Sequence, residues 1–245
     1  MMRRRFLLLL MAGALAMSAG CRQGTSTTDP SIAKLKVVTT LFPLYDMARA
    51  IGGSRAEVRL LLPPGVEPHN FEPRPDDMIT INKAGLFIYT NRFMEPWVEK
   101  LLKGVGSERA RIVDASTGLR LLPPTPGFRD EHDHDHLAAG HKGDAAGIDP
   151  HVWLDLGNAV KMVDVILAGF AASDPANRQF YETNAAAYRM KLEQLDRSYT
   201  ATLGSCNSRT ILHGGHYAFG YLARRYKLDY FAATGVTADS EPTPA

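Results

Sequence analysis

Residues 174–204, DPANRQFYETNAAAYRMKLEQLDRSYTATLG, decide how the rest of the chain is read. No glycine or proline interrupts the run from Ala176 to Leu203, and Tyr181, Tyr188, Leu192, Leu195, Tyr199 and Leu203 fall on one helical stripe. Ser173-Asp174-Pro175 supplies a cap and a first-turn proline. At 1.5 Å per residue such a helix is about 43 Å long, a rod able to brace two lobes.

On its N-terminal side the pattern changes type repeatedly. Asp155 is placed to cap a helix whose apolar residues Ala159, Met162, Val163, Ile166, Leu167 and Phe170 follow helical spacing. Further upstream, 35–40, 56–62, 86–90 and 110–116 read as strands, and 44–53, 76–85 and 94–102 as helices between them. Strands alternating with helices of this length predict an α/β fold with a parallel, right-handed βαβ sheet. Beyond the rod the rhythm resumes with a strand at 209–215, a helix at 216–226 that His216 opens, and a strand at 228–236. One strand, one helix and one strand do not close a core. The expected division is therefore an N-terminal lobe at 36–172, a linking helix at 173–204 and a partial C-terminal lobe at 205–245, in a chain that reads as a fragment or a truncated product.

The first twenty residues, MMRRRFLLLLMAGALAMSAG, are a basic head and a short apolar run ending in small residues. That is the pattern of an export signal at 1–20, too short for a lone spanning helix. Cys21 follows Ala19-Gly20 and resembles the acylated cysteine of a bacterial lipoprotein, although Ser18 stands where leucine is usual; secretion with cleavage nearby is the alternative. The polar residues that follow read as a tether over 21–35. Of 28 basic residues, loss of Arg3, Arg4 and Arg5 with the leader leaves 25 against 26 acidic, a balance that gives no support to nucleic-acid binding. With Cys21 acylated only Cys206 remains, which excludes an internal disulfide.

His69 lies in the proline-bounded loop LLPPGVEPHNFEPRPDD directly after a strand, His151 in DPHVWLD between a turn and a capped helix, and His216 after Gly214-Gly215. Taken singly, each is more often a surface loop histidine than a ligand. Three at strand or helix junctions, where α/β lobes gather binding groups, point to a metal. Neutral imidazole is the commonest protein ligand, and zinc accepts three with a fourth position left for carboxylate or water.

The segments PPGVEPHNFEPRPDD, AGLFIY, MEPWVEKLL, DPHVWLD, NAAAY and HYAFGYLARRYKL, in this order from about Lys36 to Ala245, resemble the motifs of the solute-binding proteins of bacterial zinc and manganese ABC importers. The resemblance implies two βα lobes joined by one long rigid helix, with a metal in the cleft held by one histidine from each of three motifs: His69, His151 and His216. It also implies a fourth, acidic ligand from a segment beyond SEPTPA. Glu241 belongs to a different loop of the family pattern, Glu67 and Glu72 are the local substitutes, and His213 reads as structural. The usual asparagine-glycine pair before EPW is Asn91-Arg92 here.

Between Thr117 and Asp149 periodicity stops, and the stretch 130–144, DEHDHDHLAAGHKGD, sits in a histidine-rich loop at 128–147. In extended chain His132, His134 and His136 share a side, and His141 follows. Such a loop is typical of the zinc-specific members, and it reads as an auxiliary, low-affinity zinc collector rather than a rigid second site, with a merely solvated loop as the alternative. The leading function is capture of Zn(II) outside the cytoplasmic membrane, in the periplasm or on the outer face of that membrane, and delivery to the membrane permease of an ABC importer. Mn(II) is the alternative cargo, and a metal-binding adhesin or storage lipoprotein the alternative role. A zinc hydrolase ranks lower, since no HExxH motif occurs and no enzyme activity is expected.

Overall fold

The computed structural model describes residues 33–106, 110–123 and 147–234. The expected leader, Cys21, all but the end of the tether, and His132, His134, His136 and His141 lie outside the described residues.

The chain begins with β1 (Leu35–Thr39) and α1 (Phe42–Gly52), which starts two residues ahead of the pattern because Pro43 is favourable in a first turn. Then follow β2 (Ala56–Leu60), α2 (Pro75–Asn82), β3 (Leu86–Tyr89), α3 (Val98–Leu102) and β4 (Arg111–Asp114). Helix α3 is shorter than expected. Its predicted first turn is instead a non-helical turn containing Pro96, wrapped around the Glu95 side chain. All four strands are parallel, in the order β2-β1-β3-β4. The chain therefore crosses β1 to reach β3, and the connections leaving β1 and β3 run in opposite directions. A crevice opens at such a reversal, outside the carboxyl ends of the strands.

Alternate residues send the strands' side chains to two packed faces. Val37, Leu86, Ile88 and Val113 meet α1 and the later helix α4 (Leu156–Ser173) through Leu44, Ile51, Met162, Ile166 and Phe170. On the other face Val38 and Phe87 meet Ile81, Met94, Val98 and Leu101. Asp155 caps α4 as its sequence predicts, accepting from the Gly157 and Asn158 N–H groups at 2.7 and 3.2 Å.

Helix α5 (Arg178–Gly204) is the predicted rod, 27 residues long and so about 40 Å. Pro175–Asn177 form a separate 3-10 turn rather than its first turn. Its start is anchored in the N-terminal half: Tyr181 and Ala185 are fully buried, Asn184 Nδ2 donates to Ile51 O at 3.0 Å, and the Tyr188 hydroxyl donates to Asp46 at 2.7 Å. The apolar stripe does not stay buried to the end, for Leu195 and Tyr199 are exposed. Tyr199 stacks on Tyr226 at 5.4 Å.

After α5 come β5 (Thr210–His216), α6 (Gly220–Tyr226) and β6 (Asp229–Thr234), with β5 and β6 paired in parallel. Here a local expectation fails. His216 does not open the helix but ends β5, pairing with Thr234, while the ladder shifts register between His213 and His216. Gly214-Gly215 thus serve a strand irregularity, a place where glycine is common. Arg225 on α6 ties this part to the rest: Nη1 donates to Asp155 at 2.8 Å, and Nε and Nη2 grip Asp196 of α5 at 2.7 and 2.6 Å.

Candidate metal centre

Each histidine singled out in the sequence arrives on a different element. His69 rides the loop after β2, and that loop is pinned where the Trp97 indole N–H donates to Pro68 O at 2.8 Å. Its own N–H donates to Glu67 at 3.3 Å, and its Nε2 is buried with no hydrogen-bond partner. An orphaned buried nitrogen costs free energy unless something else fills the position.

His151 lies at the start of the 3-10 turn before α4 and is 4% exposed. Asp149, also buried, takes two hydrogen bonds on Oδ1, from the His151 N–H at 3.0 Å and from Nδ1 at 2.8 Å. A carboxylate there fixes the ring orientation and places the proton on Nδ1, leaving the Nε2 lone pair free. Asp149 is held in turn by its N–H donating to Leu122 O at 2.8 Å. Gly220 of α6 closes over it so tightly that a Cβ there would stand 2.6 Å from Asp149 Oδ2.

His216 at the end of β5 brings its Nε2 to 3.3 Å from His151 Nε2. Ring centroids are 5.2 Å apart for that pair, 5.7 Å for His69 and His151, and 6.2 Å for His69 and His216. One ligand atom from each of the three lies within 4.8 Å of the others. Tetrahedral zinc with bonds of 2.0–2.1 Å needs nitrogens roughly 3.3 Å apart. The His151–His216 pair already has that spacing, and the remaining imidazole has a gap of up to about 1.5 Å to close.

Burial, followed by the neighbouring His151, holds His69 and His216 below the ordinary imidazole pKa, with Glu67 opposing in both cases. The rings are thus kept neutral, the form that binds metal. Glu67 Oε1 lies 3.9 Å from His69 Nε2, a near carboxylate but not one of the clustered ligand atoms. His213 turns away, its Nδ1 3.2 Å from both His216 O and the Tyr230 hydroxyl, and its ring edge-on to Phe219. It supports the strand end that carries His216. Spacing alone gives no signal for Asp149, Trp97 or Gly220; their only marks in the sequence are places beside a histidine or inside a recognisable motif.

Comparison with known proteins gives this arrangement its relatives. Residues 37–245 match the family described as ZnuA, zinc-uptake complex component A, periplasmic. The chain is 37% identical over 242 residues to the high-affinity zinc uptake system protein ZnuA of Bacillus subtilis, covering 97% of this chain and 73% of that one. It is 38% identical over 212 residues to the zinc-binding lipoprotein AdcA of Streptococcus pneumoniae, covering 86% of this chain and 41% of that protein. Among solved structures it resembles the metal-dependent lipoprotein YcdH of Bacillus subtilis, with a TM-score of 0.69 at 37% identity, covering 86% and 71% of the two chains. The Zn(II)-bound ZnuA-like domain of Streptococcus pneumoniae AdcA is similar at a TM-score of 0.69 and 34% identity, again covering 86% and 71%. A profile match over nearly all of the described residues, joined to that likeness in sequence and in fold, means that the chain belongs to the ZnuA family of zinc-uptake components.

Proposed function

We propose that this protein is an extracytoplasmic receptor that captures Zn(II) and hands it to the permease of an ABC importer, with His69, His151 and His216 as the protein ligands. The observation that carries the reading is the convergence of three imidazole nitrogens, from three segments far apart in the chain, within 4.8 Å of one another. Three imidazoles form a borderline donor set, which suits zinc better than the oxygen ligands manganese prefers. The relatives named for zinc uptake and zinc binding support the same cargo.

Within this proposal residues 36–172 act as the first lobe, α5 and its approach (173–204) as the link, and 205–245 as part of a second lobe. Export by the leader, anchoring through an acylated Cys21, and weak zinc collection by His132, His134, His136 and His141 complete it, and rest on the sequence. Metal analysis with a chelator competition titration tests the centre. One tight zinc per chain is expected, lost in His151→Ala; a variant that retains tight binding at full stoichiometry overturns the ligand assignment.

A further inference from the structure

We propose that Glu95 is a positioning residue for the metal centre, a buried hydrogen-bond hub that folds the 90–97 turn onto the two segments carrying His69 and His151. The inference rests on the ligand assignment above and adds a residue that does not touch the metal.

Glu95 is fully buried, and its hydrogen bonds come from neutral donors. The Thr40 hydroxyl donates to Oε1 at 2.5 Å, the Thr90 N–H lies 3.1 and 3.2 Å from the two oxygens, and the Asn91 N–H donates to Oε2 at 3.0 Å. Thr40 follows β1, and Thr90-Asn91 follow β3. The carboxylate therefore occupies the crevice at the reversal of strand order, where α/β sheets ordinarily receive a ligand. This chain fills the crevice with its own side chain.

The turn so formed reaches both histidine segments. Asn91 Oδ1 accepts from the Phe93 and Met94 N–H groups, each at 2.9 Å, which frees its Nδ2 to donate to Pro150 O at 3.3 Å, next to His151. On the other side the Phe93 backbone faces the His69 ring and opposes the fall in its pKa, and the Trp97 indole N–H holds Pro68 O at 2.8 Å. Glu95 thus sets, through one turn, the relative placement of two rings that have to meet at one ion. Burial pushes its carboxyl up to about 7 against the opposing pull of the Thr40, Asn91 and Thr90 donors. A group of this kind serves as a hydrogen-bond hub whether or not it keeps its proton.

The test compares zinc dissociation constants, by chelator competition on folded protein, for Glu95→Ala, Glu95→Gln and Asn91→Ala. Partners that orient a ligand typically change metal affinity about 10- to 100-fold when removed. Glu95→Ala and Asn91→Ala are each expected to weaken zinc binding by about tenfold or more. Glu95→Gln should restore it to within about threefold, because the Thr40 hydroxyl can rotate to accept from the amide while the remaining oxygen keeps the backbone donors. Ile81→Ala, which opens the same half of the core without removing any hydrogen bond of the turn, should lower the melting temperature and leave zinc affinity unchanged. If Glu95→Ala does not fold, Asn91→Ala decides, since it cuts only the turn and its link to Pro150. The proposal is overturned if folded Glu95→Ala, or Asn91→Ala, binds zinc within about twofold of wild type, or if Ile81→Ala weakens binding equally. A His151→Ala variant that still binds tightly would instead remove the ligand assignment, which keeps the two failures distinct.

Discussion

Gly220→Ala is a one-carbon change, outside the ligand set, on which helix propensity and local packing disagree in sign. Alanine is the better helix former, by up to about 1 kcal/mol in a helix interior, so propensity predicts a more stable protein. Yet the new Cβ would stand 2.6 Å from Asp149 Oδ2, 2.6 Å from the Tyr217 hydroxyl oxygen and 2.7 Å from Tyr217 Cε1. Relief to an ordinary contact, which begins at 3.4 Å, needs a displacement of about 0.8 Å. Asp149 holds His151 Nδ1 at 2.8 Å, and a shift of that size stretches the bond to about 3.6 Å, past what counts as one. Loss of a carboxylate behind a metal-binding histidine typically costs 10- to 100-fold in affinity, equivalent to about 1.4 to 2.7 kcal/mol. Competitive titration with a zinc chelator measures it. Gly204→Ala, at the end of α5 with open space around its Cβ, is the control and should leave affinity unchanged. A Gly220→Ala protein that binds zinc within about twofold of wild type and melts higher would refute the reasoning, because the clash with Asp149 would then be absorbed without disturbing His151.

Three other outcomes are expected. Because burial holds His69 and His216 below their usual pKa near 6.5, protons compete with zinc only below that value: the dissociation constant should be flat from about pH 7.5 to 6.5 and then climb, up to tenfold per pH unit for each imidazole that titrates. The same depression makes the metal-free fold lose stability as pH falls from about 6.5 toward the lowered values, since the unfolded chain takes up protons first; a steep affinity loss already above pH 6.5 would contradict both. Arg225→Met removes the grip on Asp155 and Asp196, groups only about a quarter exposed. Discounted for that exposure the cost is about 2 kcal/mol, a fall in melting temperature of roughly 4 to 8 °C, and a shift under about 1 °C in calorimetry would refute it. Deleting residues 130–144 should lower zinc stoichiometry while the tight site persists; loss of the tightest binding would make the histidine loop the primary receptor.

The alternation of strands and helices was legible because it is a property of neighbours along the chain. Val37 and Val38 face opposite ways, Ala159 to Phe170 recur at helical spacing, and Asp155 stands where a cap belongs, so local chemistry and final structure agree. Long-range pairing is what the sequence hides. Gly214-Gly215 reads as a loop before a helix at His216, and only the partner strand, by pairing Thr234 with His216, turns that segment into an irregular strand end. Glu95 is opaque for a similar reason: a carboxylate beside Pro96 looks solvated until Thr40, just past the end of β1, is seen to donate to it. The three histidines each occupy junctions that suggest binding, but their meeting at one point came from likeness to a family and not from spacing. Arg225 looks like an ordinary charge on a helix surface, and its two aspartate partners are 29 and 70 residues away.

Because the three rings belong to segments so widely separated in sequence, an ion bound among them acts on the chain as a removable cross-link. It ties off two large loops of polypeptide, a closure whose entropy grows only slowly with loop length. Mass action sets the strength of the tie: at a thousandfold excess of free zinc over the dissociation constant the folded state gains about 4 kcal/mol, so resistance to heat or proteolysis becomes a gauge of the metal outside the cell.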